Sequence, residues 1–223
     1  MFHCLSDITA YGPKDIEIYK KCKKISVDFI DQLNSKNLLK TYITNEEEVL
    51  IDNIRMRLES TRMATEKFEE LIVSDWNTMV KSLDLLGFSK VDIMSMYGGL
   101  LVHTILESFE LFKKYLLWTI KPEPKIHYQL PLGTILKILR EKGVDHNFDQ
   151  CMDKEIRDAI AHGWYWWDNQ NFVYNLDKTL KRTKEIHLGE LFIKYRHIEL
   201  LVKSFNDNAF ERVVEIKNSS KNN

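Results

Sequence analysis

The sequence predicts an all-α fold: a helical bundle carrying one small β-hairpin, with additional N-terminal helices. Three observations lead there. Apolar residues recur at steps of three and four over most of the 223-residue chain, the period of a helix that buries one face. Glycine and proline number only 8 and 4, which leaves few sites for tight turns. One stretch breaks the helical period. Trp164, Tyr165, Trp166 and Trp167 are followed by the polar Asp168, Asn169, Gln170 and Asn171, and then by Phe172, Val173 and Tyr174. That order reads as aromatic strand, polar turn, aromatic strand.

Tyr11, Gly12 and Pro13 open the first helix, with proline near the first helical position, where its missing N–H costs nothing. Ile16, Ile18, Tyr19, Cys22, Ile25, Phe29, Ile30 and Leu33 form its stripe, and it ends near Asn34. Thr44 and Glu47 make a capping box. The helix it opens carries Val49, Leu50, Ile54, Leu58, Met63, Phe68, Leu71 and Ile72, and either runs past Trp76 or breaks at Ser74. Gly87 and Ser89, a C-terminal glycine followed by an N-cap serine, are the best boundary signal. They divide the chain into an N-terminal helical region (1–88), a helical domain (89–216) and a polar tail expected to be disordered (217–223). A short helix to Tyr97 then meets Gly98 and Gly99, either a kink or a point of close packing.

Residues 100–120 form the strongest helix, with Leu101, Ile105, Leu106, Phe109, Phe112, Leu116 and Leu117 as its core face. His103, Glu107, Glu110 and Lys114 make a polar stripe, either a solvated face or the source of a carboxylate for a site. Lys121, Pro122, Glu123 and Pro124 end the helix in a rigid loop. Ile135, Leu136, Ile138 and Leu139 mark a helix stopped by Gly143. After a turn at Asp145, His146 and Asn147, Phe148 opens the helix of greatest interest. Beyond the hairpin, residues 184–188 offer a third short strand. A last long helix begins at Gly189, either runs on or breaks near Asn206, Asp207 and Asn208, and resumes to Ile216.

Composition bounds the function. Residues 1–88 carry 12 basic and 15 acidic side chains, and the remainder 20 and 18, for a net charge of −1. Such a chain is no general polyanion binder, because those proteins carry a clear positive excess; any nucleic-acid contact must be local. Cys4, Cys22 and Cys151 are odd in number and scattered, with no CxxC, which argues against a disulfide framework or a zinc site and for a reducing cytoplasm. Seven histidines show no metal-binding spacing, so no metal or other cofactor is expected. No apolar run reaches membrane-spanning length, and residues 1–7 lack the basic and apolar regions of a signal peptide.

The chemistry gathers in Glu155, Ile156, Arg157, Asp158, Ala159, Ile160, Ala161, His162 and Gly163. Asp158 and His162 are four apart and share a helical face. Arg157 and His162 lie roughly 140° apart around the helix. Arginine offers a permanently charged fork that matches phosphate oxygens, and histidine exchanges protons near neutral pH. Together they suffice for cleavage of RNA by its own 2′-hydroxyl: His162 moves protons and Arg157 stabilises charge on phosphorus. Asp158 would orient His162 or Arg157, though a carboxylate also repels phosphate. The plain alternative is a helix end where a cationic histidine suits the dipole and Arg157 pairs with Asp153 or Asp158.

This run resembles the Arg-polar-x-x-x-His motif helix of the HEPN superfamily, in which the polar position is usually Asn, Asp or His; Asp158 is less common there than Asn. The resemblance rests on that short motif and on the helical pattern over 89–216. It implies a small helical bundle that forms a homodimer, its two motif helices lining one cleft, so that Arg157 and His162 act from different protomers. Many such domains are metal-independent endoribonucleases of toxin–antitoxin, phage-defence or RNA-processing systems, whose partners are RNA and in some cases an antitoxin or other protein. Others are inactive binding modules.

Arg157, His162 and Asp158 are therefore the expected catalytic set. Glu107 is a candidate to hold the Arg157 guanidinium, and Tyr165 is named because it follows the motif directly. Lys178, Lys181, Arg182 and Lys184 form a modest basic patch near His187, either an RNA contact or a solvated loop. The aromatic tetrad 164–167 either stacks bases or packs the hairpin against the helices. A small-residue face at Ala159 and Ala161 suits close approach of a second backbone. Two readings compete with the enzyme: a catalytically silent dimerisation, RNA- or partner-binding module, and a helical scaffold with a chance motif.

Overall fold

The first helix, α1 (Pro13–Ser35), buries Cys22, Ile25, Ser26, Phe29, Ile30 and Leu33, the stripe its sequence spacing requires. The computed structural model describes residues 13–42, 44–168, 171–179 and 181–219, with side chains described except at 62, 65, 66, 68–76, 79 and 94. The expectations for residues 1–12, for the turn residues Asn169 and Gln170, for the side chains of Phe68, Leu71, Ile72 and Trp76, and for residues 220–223 lie outside that set. After α1 the chain turns through Asn37 (φ 56°), and Leu39 forms an isolated antiparallel bridge with Ile120.

The Thr44–Glu47 box forms as spaced. Thr44 N donates to Glu47 Oε2 (2.9 Å) and Glu47 N donates to Thr44 Oγ1 (3.3 Å). Burial pushes the Glu47 carboxyl up, but the bond from Lys40 and those from Thr44 outweigh it and hold the group below its ordinary value. From this cap α2 (Asn45–Asp84) runs 40 residues without a break at Ser74. Its buried stripe is Ile51, Ile54 and Leu58, while Val49, Leu50 and Met63 are exposed.

Gly87 (φ 84°) and a second capping box turn the chain into α3 (Lys90–Thr119). There Ser89 N donates to Asp92 Oδ2 and Asp92 N donates to Ser89 Oγ. Of the two readings of Gly98 and Gly99, a kink or close packing, the kink is absent: α3 runs through both without a break. Its C-terminal half is buried nearly all round, from Ser108 to Leu116 and again at Trp118 and Thr119, with Glu110 and Leu117 half-buried. A helix this apolar on every side belongs in a core. Lys113 and Lys114 are drawn in with it: Lys113 pairs with Glu110 at 2.7 Å, and the Lys114 ammonium sits over the Tyr128 ring. The polar stripe is thus not uniformly solvated, and Leu106, placed on the core face by spacing, is exposed.

After α4 (Leu132–Glu141) and its stop at Gly143 (φ 78°) comes a short 3-10 turn, Phe148–Gln150. Then follow α5 (Lys154–His162), β1 (Tyr165–Asp168), β2 (Asn171–Asn175), β3 (Thr183–His187) and α6 (Leu188–Ser204). The expected hairpin is a three-stranded antiparallel sheet of order β1-β2-β3. The expected weak point at Asn206, Asp207 and Asn208 is a π-helical turn, Phe205–Ala209, leading into α7 (Phe210–Ser219). Residues 217–219, expected to be disordered, belong to that helix.

Contacts divide the chain into two compact units. The first comprises Met1–Arg55, Ser108–Met152 and Arg196–Asn223; the second comprises Met56–Glu107 and Asp153–Tyr195. Helices α2, α3 and α6 each contribute residues to both units. The first unit is centred on Phe29, Phe112, Phe148 and Phe205, all fully buried, with Phe112–Phe148 and Phe112–Phe205 meeting edge to face at 5.0 and 5.4 Å. The second buries Ile93, Leu101, Ile105, Ile156, Ala159, Phe172 and Leu191. Among the described residues, no helix is long and apolar enough to cross a membrane.

Candidate functional site

Helix α5 is delimited at both ends by its own sequence. Asp153 is the N-cap, its Oδ1 accepting from Glu155 N (3.1 Å) and Ile156 N (3.2 Å). At the other end Gly163 takes φ 66°, Gly163 N donates to Ile160 O and Trp164 N donates to Ala159 O. These are the paired bonds of a Schellman motif, which needs glycine for its left-handed residue. The helix opens at Lys154 and not at Phe148 as expected, because Asp153 caps it and Phe148 belongs to the aromatic core of the first unit.

Ile156, Ala159 and Ile160 form the buried face, and Arg157 is buried with them, 7% exposed. Its guanidinium folds back onto its own neighbour, Nε and Nη2 donating to Asp158 Oδ1 at 3.0 and 2.7 Å. Successive helical residues do not face each other; the length of arginine closes the pair. Of the partners the spacing allowed, Asp158 is the one used. Its carboxylate, 39% exposed, carries this pair toward solvent. Ala161 is exposed whereas Ala159 is buried, so only Ala161 is left to meet a second backbone.

His162, the last residue of α5, is exposed. Its ring stacks on Trp164, centroids 4.5 Å apart and planes 23° apart. The C-terminal end of α5 therefore presents an imidazole held by an indole, and its second turn a guanidinium oriented by a carboxylate. Asp158 thus serves Arg157 and not His162.

Glu107 is the carboxylate expected beside Arg157. The guanidinium it meets is that of Arg57, 3.3 Å away, and its Oε2 is buried without a hydrogen-bond partner among the described residues. Tyr165 stacks on Phe172 with centroids 5.2 Å apart. The strand register explains this. Tyr165 pairs with Tyr174 and Trp167 with Phe172, which puts these four on one face of the sheet. Trp167 lies against Gly98, where an added Cβ would come within 2.3 Å of the indole. Tyr165 and Trp167 therefore pack, while Trp166, between them, points the other way and is 45% exposed.

Of the basic patch, Lys178, Lys181 and Arg182 are exposed on the loop between β2 and β3, which Leu176 N closes by donating to Arg182 O. Lys184 instead pairs with Glu155 at 2.6 Å. At the opposite, N-terminal end of α5 Asp153 pairs with Lys194 and Glu155 with Lys184. There burial, and then Asp153, Glu155 and Glu190, push the Tyr174 phenol up to about 12.

Among the described residues no group of three or more His, Cys, Asp or Glu side chains is arranged to hold a metal ion. One juxtaposition had no signal in the sequence. Cys22 and Cys151, 129 residues apart, bring their buried thiols to 3.3 Å. The exposure of Trp166 did have a signal, the alternation of the tetrad. Comparison with protein-family models, with curated proteins and with solved structures found no match.

Proposed function

We propose that this chain is a metal-independent endoribonuclease of the HEPN type. The observation that carries the reading is the exposed His162 imidazole, held on Trp164, at the end of the short helix whose Arg157 is oriented by Asp158. In the reaction the 2′-hydroxyl of RNA attacks the adjacent phosphorus and the bond to the 5′-oxygen breaks. The products are a 2′,3′-cyclic phosphate and a 5′-hydroxyl. His162 takes the proton from the nucleophile or delivers one to the leaving oxygen, and Arg157 stabilises the added negative charge. A homodimer with its two α5 helices lining one cleft brings Arg157 of one protomer to His162 of the other. A protein partner such as an antitoxin would act by covering that cleft.

The test is cleavage of single-stranded RNA by the purified protein in the presence of EDTA, with analysis of the product ends. Cyclic phosphate ends are expected. Loss of roughly 10²–10⁴-fold on His162→Ala and 10²–10³-fold on Arg157→Ala should follow, with a double variant little worse than either. An equally active His162→Ala variant, or 3′-hydroxyl products, would overturn the reading, and a monomer in sedimentation at micromolar concentration would remove the shared cleft.

A second reading is favoured by one observation, the burial of Arg157 in its pair with Asp158. In that reading the same helix is a catalytically silent dimerisation, RNA- or partner-binding element. It predicts no cleavage by the parent protein and loss of dimer or partner affinity on Arg157→Ala.

A further inference from the structure

The sheet has a second face, and its register defines it. Trp166 pairs with Val173, Val173 with Glu185, and Asn175 with Thr183. Asn175 N donates to Trp164 O, which continues the ladder one residue before β1. Because side chains alternate, Trp164 and Trp166 share the face opposite the packed Tyr165, Trp167, Phe172 and Tyr174. Two residues of strand separate them by about 6.8 Å. Trp164 is the ring on which His162 stacks, and Trp166 is the large exposed hydrophobic of this face. The β2–β3 loop with Lys178, Lys181 and Arg182 leaves the sheet just beyond Asn175 and Thr183, at the Trp164 end. That end therefore holds a proton-transfer group, an exposed indole one step along the strand, and three exposed cations.

We propose that this face is a stacking platform for unpaired RNA, and that Trp166 makes the site selective for single strands. The proposal rests on the endoribonuclease reading for its link to cleavage, but not for binding. A flat, exposed indole binds the π-face of a base that has left its helix, whereas a duplex keeps its bases covered. The three cations follow the backbone of the same strand. Asp168 and Glu185 also lie on this face and oppose phosphate there, so the backbone is directed to the loop side and the base to Trp166. A protein partner would meet the same face without preference for strandedness, which the test separates.

The experiment uses the full chain and a fluorescein-labelled 2′-O-methyl decaadenylate, which lacks the nucleophile and stays intact, beside a blunt duplex of equal length. Anisotropy should show the single strand bound more tightly than the duplex. Trp166→Ala should weaken single-strand binding roughly 5- to 100-fold and Trp166→Phe much less, with duplex binding little changed. Replacing Lys178, Lys181 and Arg182 with alanine should lower the slope of log affinity against log salt by about 2, at roughly 0.7 per phosphate contact. The platform is wrong if Trp166→Ala binds both oligonucleotides as the parent does, if Trp166→Phe loses as much single-strand binding as Trp166→Ala, or if the parent does not prefer the single strand. Cleavage of ordinary RNA by the parent separates the two ideas. A cleaving parent with an unaffected Trp166→Ala variant sinks the platform alone. A non-cleaving parent whose binding depends on Trp166 sinks the catalytic reading and supports the platform.

Discussion

Arg157 and His162 are both polar members of one nine-residue helix, yet they stand in opposite environments. Arg157 is buried and spends two donors on Asp158; His162 is exposed and touches an indole. Their substitutions should therefore differ in stability as well as in activity. Arg157→Ala removes hydrogen bonds to a charged partner and leaves space on a buried face, so it should cost about 1–3 kcal/mol. His162→Ala should stay within roughly 0.5 kcal/mol of the parent. Urea denaturation of the two variants measures the contrast, and equal stabilities would contradict the burial assigned to Arg157. The spacing of the motif and the Schellman glycine were legible in the sequence, whereas the Asp153 cap was passed over in favour of a start at Phe148. The burial of Arg157 was not legible, because an apolar stripe marks where buried residues centre and not how far a long side chain tucks in.

At the scale of elements, two adjacent glycines show what packing adds to pattern. Gly98 and Gly99 suggested either a helix break or close packing, and the structure selects packing at Gly98 alone. A Cβ at Gly98 would meet the Trp167 ring at 2.3 Å, whereas one at Gly99 meets nothing within 4 Å. Gly98→Ala should destabilise by about 1–3 kcal/mol through overpacking. Gly99→Ala should be neutral, or stabilising by up to about 1 kcal/mol, since alanine is the better helix former. Denaturant midpoints for the pair decide it; equal effects would mean that Trp167 does not occupy the space beside Gly98. The same indole shows why the tetrad 164–167 divides between two faces of the sheet. Alternation sends Tyr165 and Trp167 inward and leaves Trp166 outside.

At the scale of the molecule, the first unit is organised by Phe29, Phe112, Phe148 and Phe205, drawn from four distant parts of the sequence. Phe148→Ala should cost about 3–5 kcal/mol, read as a lowered denaturant midpoint, and a cost under about 1 kcal/mol would contradict its place in that cluster. This is also why Phe148 does not open the motif helix: a side chain committed to one unit is followed, five residues later, by an aspartate that starts a new helix in the other. The thiols of Cys22 and Cys151 meet in the same unit for the same reason, with nothing in their spacing to announce it.

The sequence by itself determined the local elements: the Thr44–Glu47 capping box, the Ser89 cap, the glycine stops at Gly87, Gly143 and Gly163, the stripe of α1, the aromatic strands, and the irregular point near Asn206 that is a π turn. Each depends on residues within a few positions of one another, so period and turn chemistry suffice to reveal them. Only the tertiary structure decided which charged group meets which. It gave Glu107 to Arg57, Lys184 to Glu155 and Arg157 to Asp158, buried Lys113 and Lys114 in a helix that looked half-solvated, and drew the two units across α2, α3 and α6. Those outcomes depend on which surfaces meet across long stretches of chain, and the free energy of each long side chain depends on the neighbours it finds there.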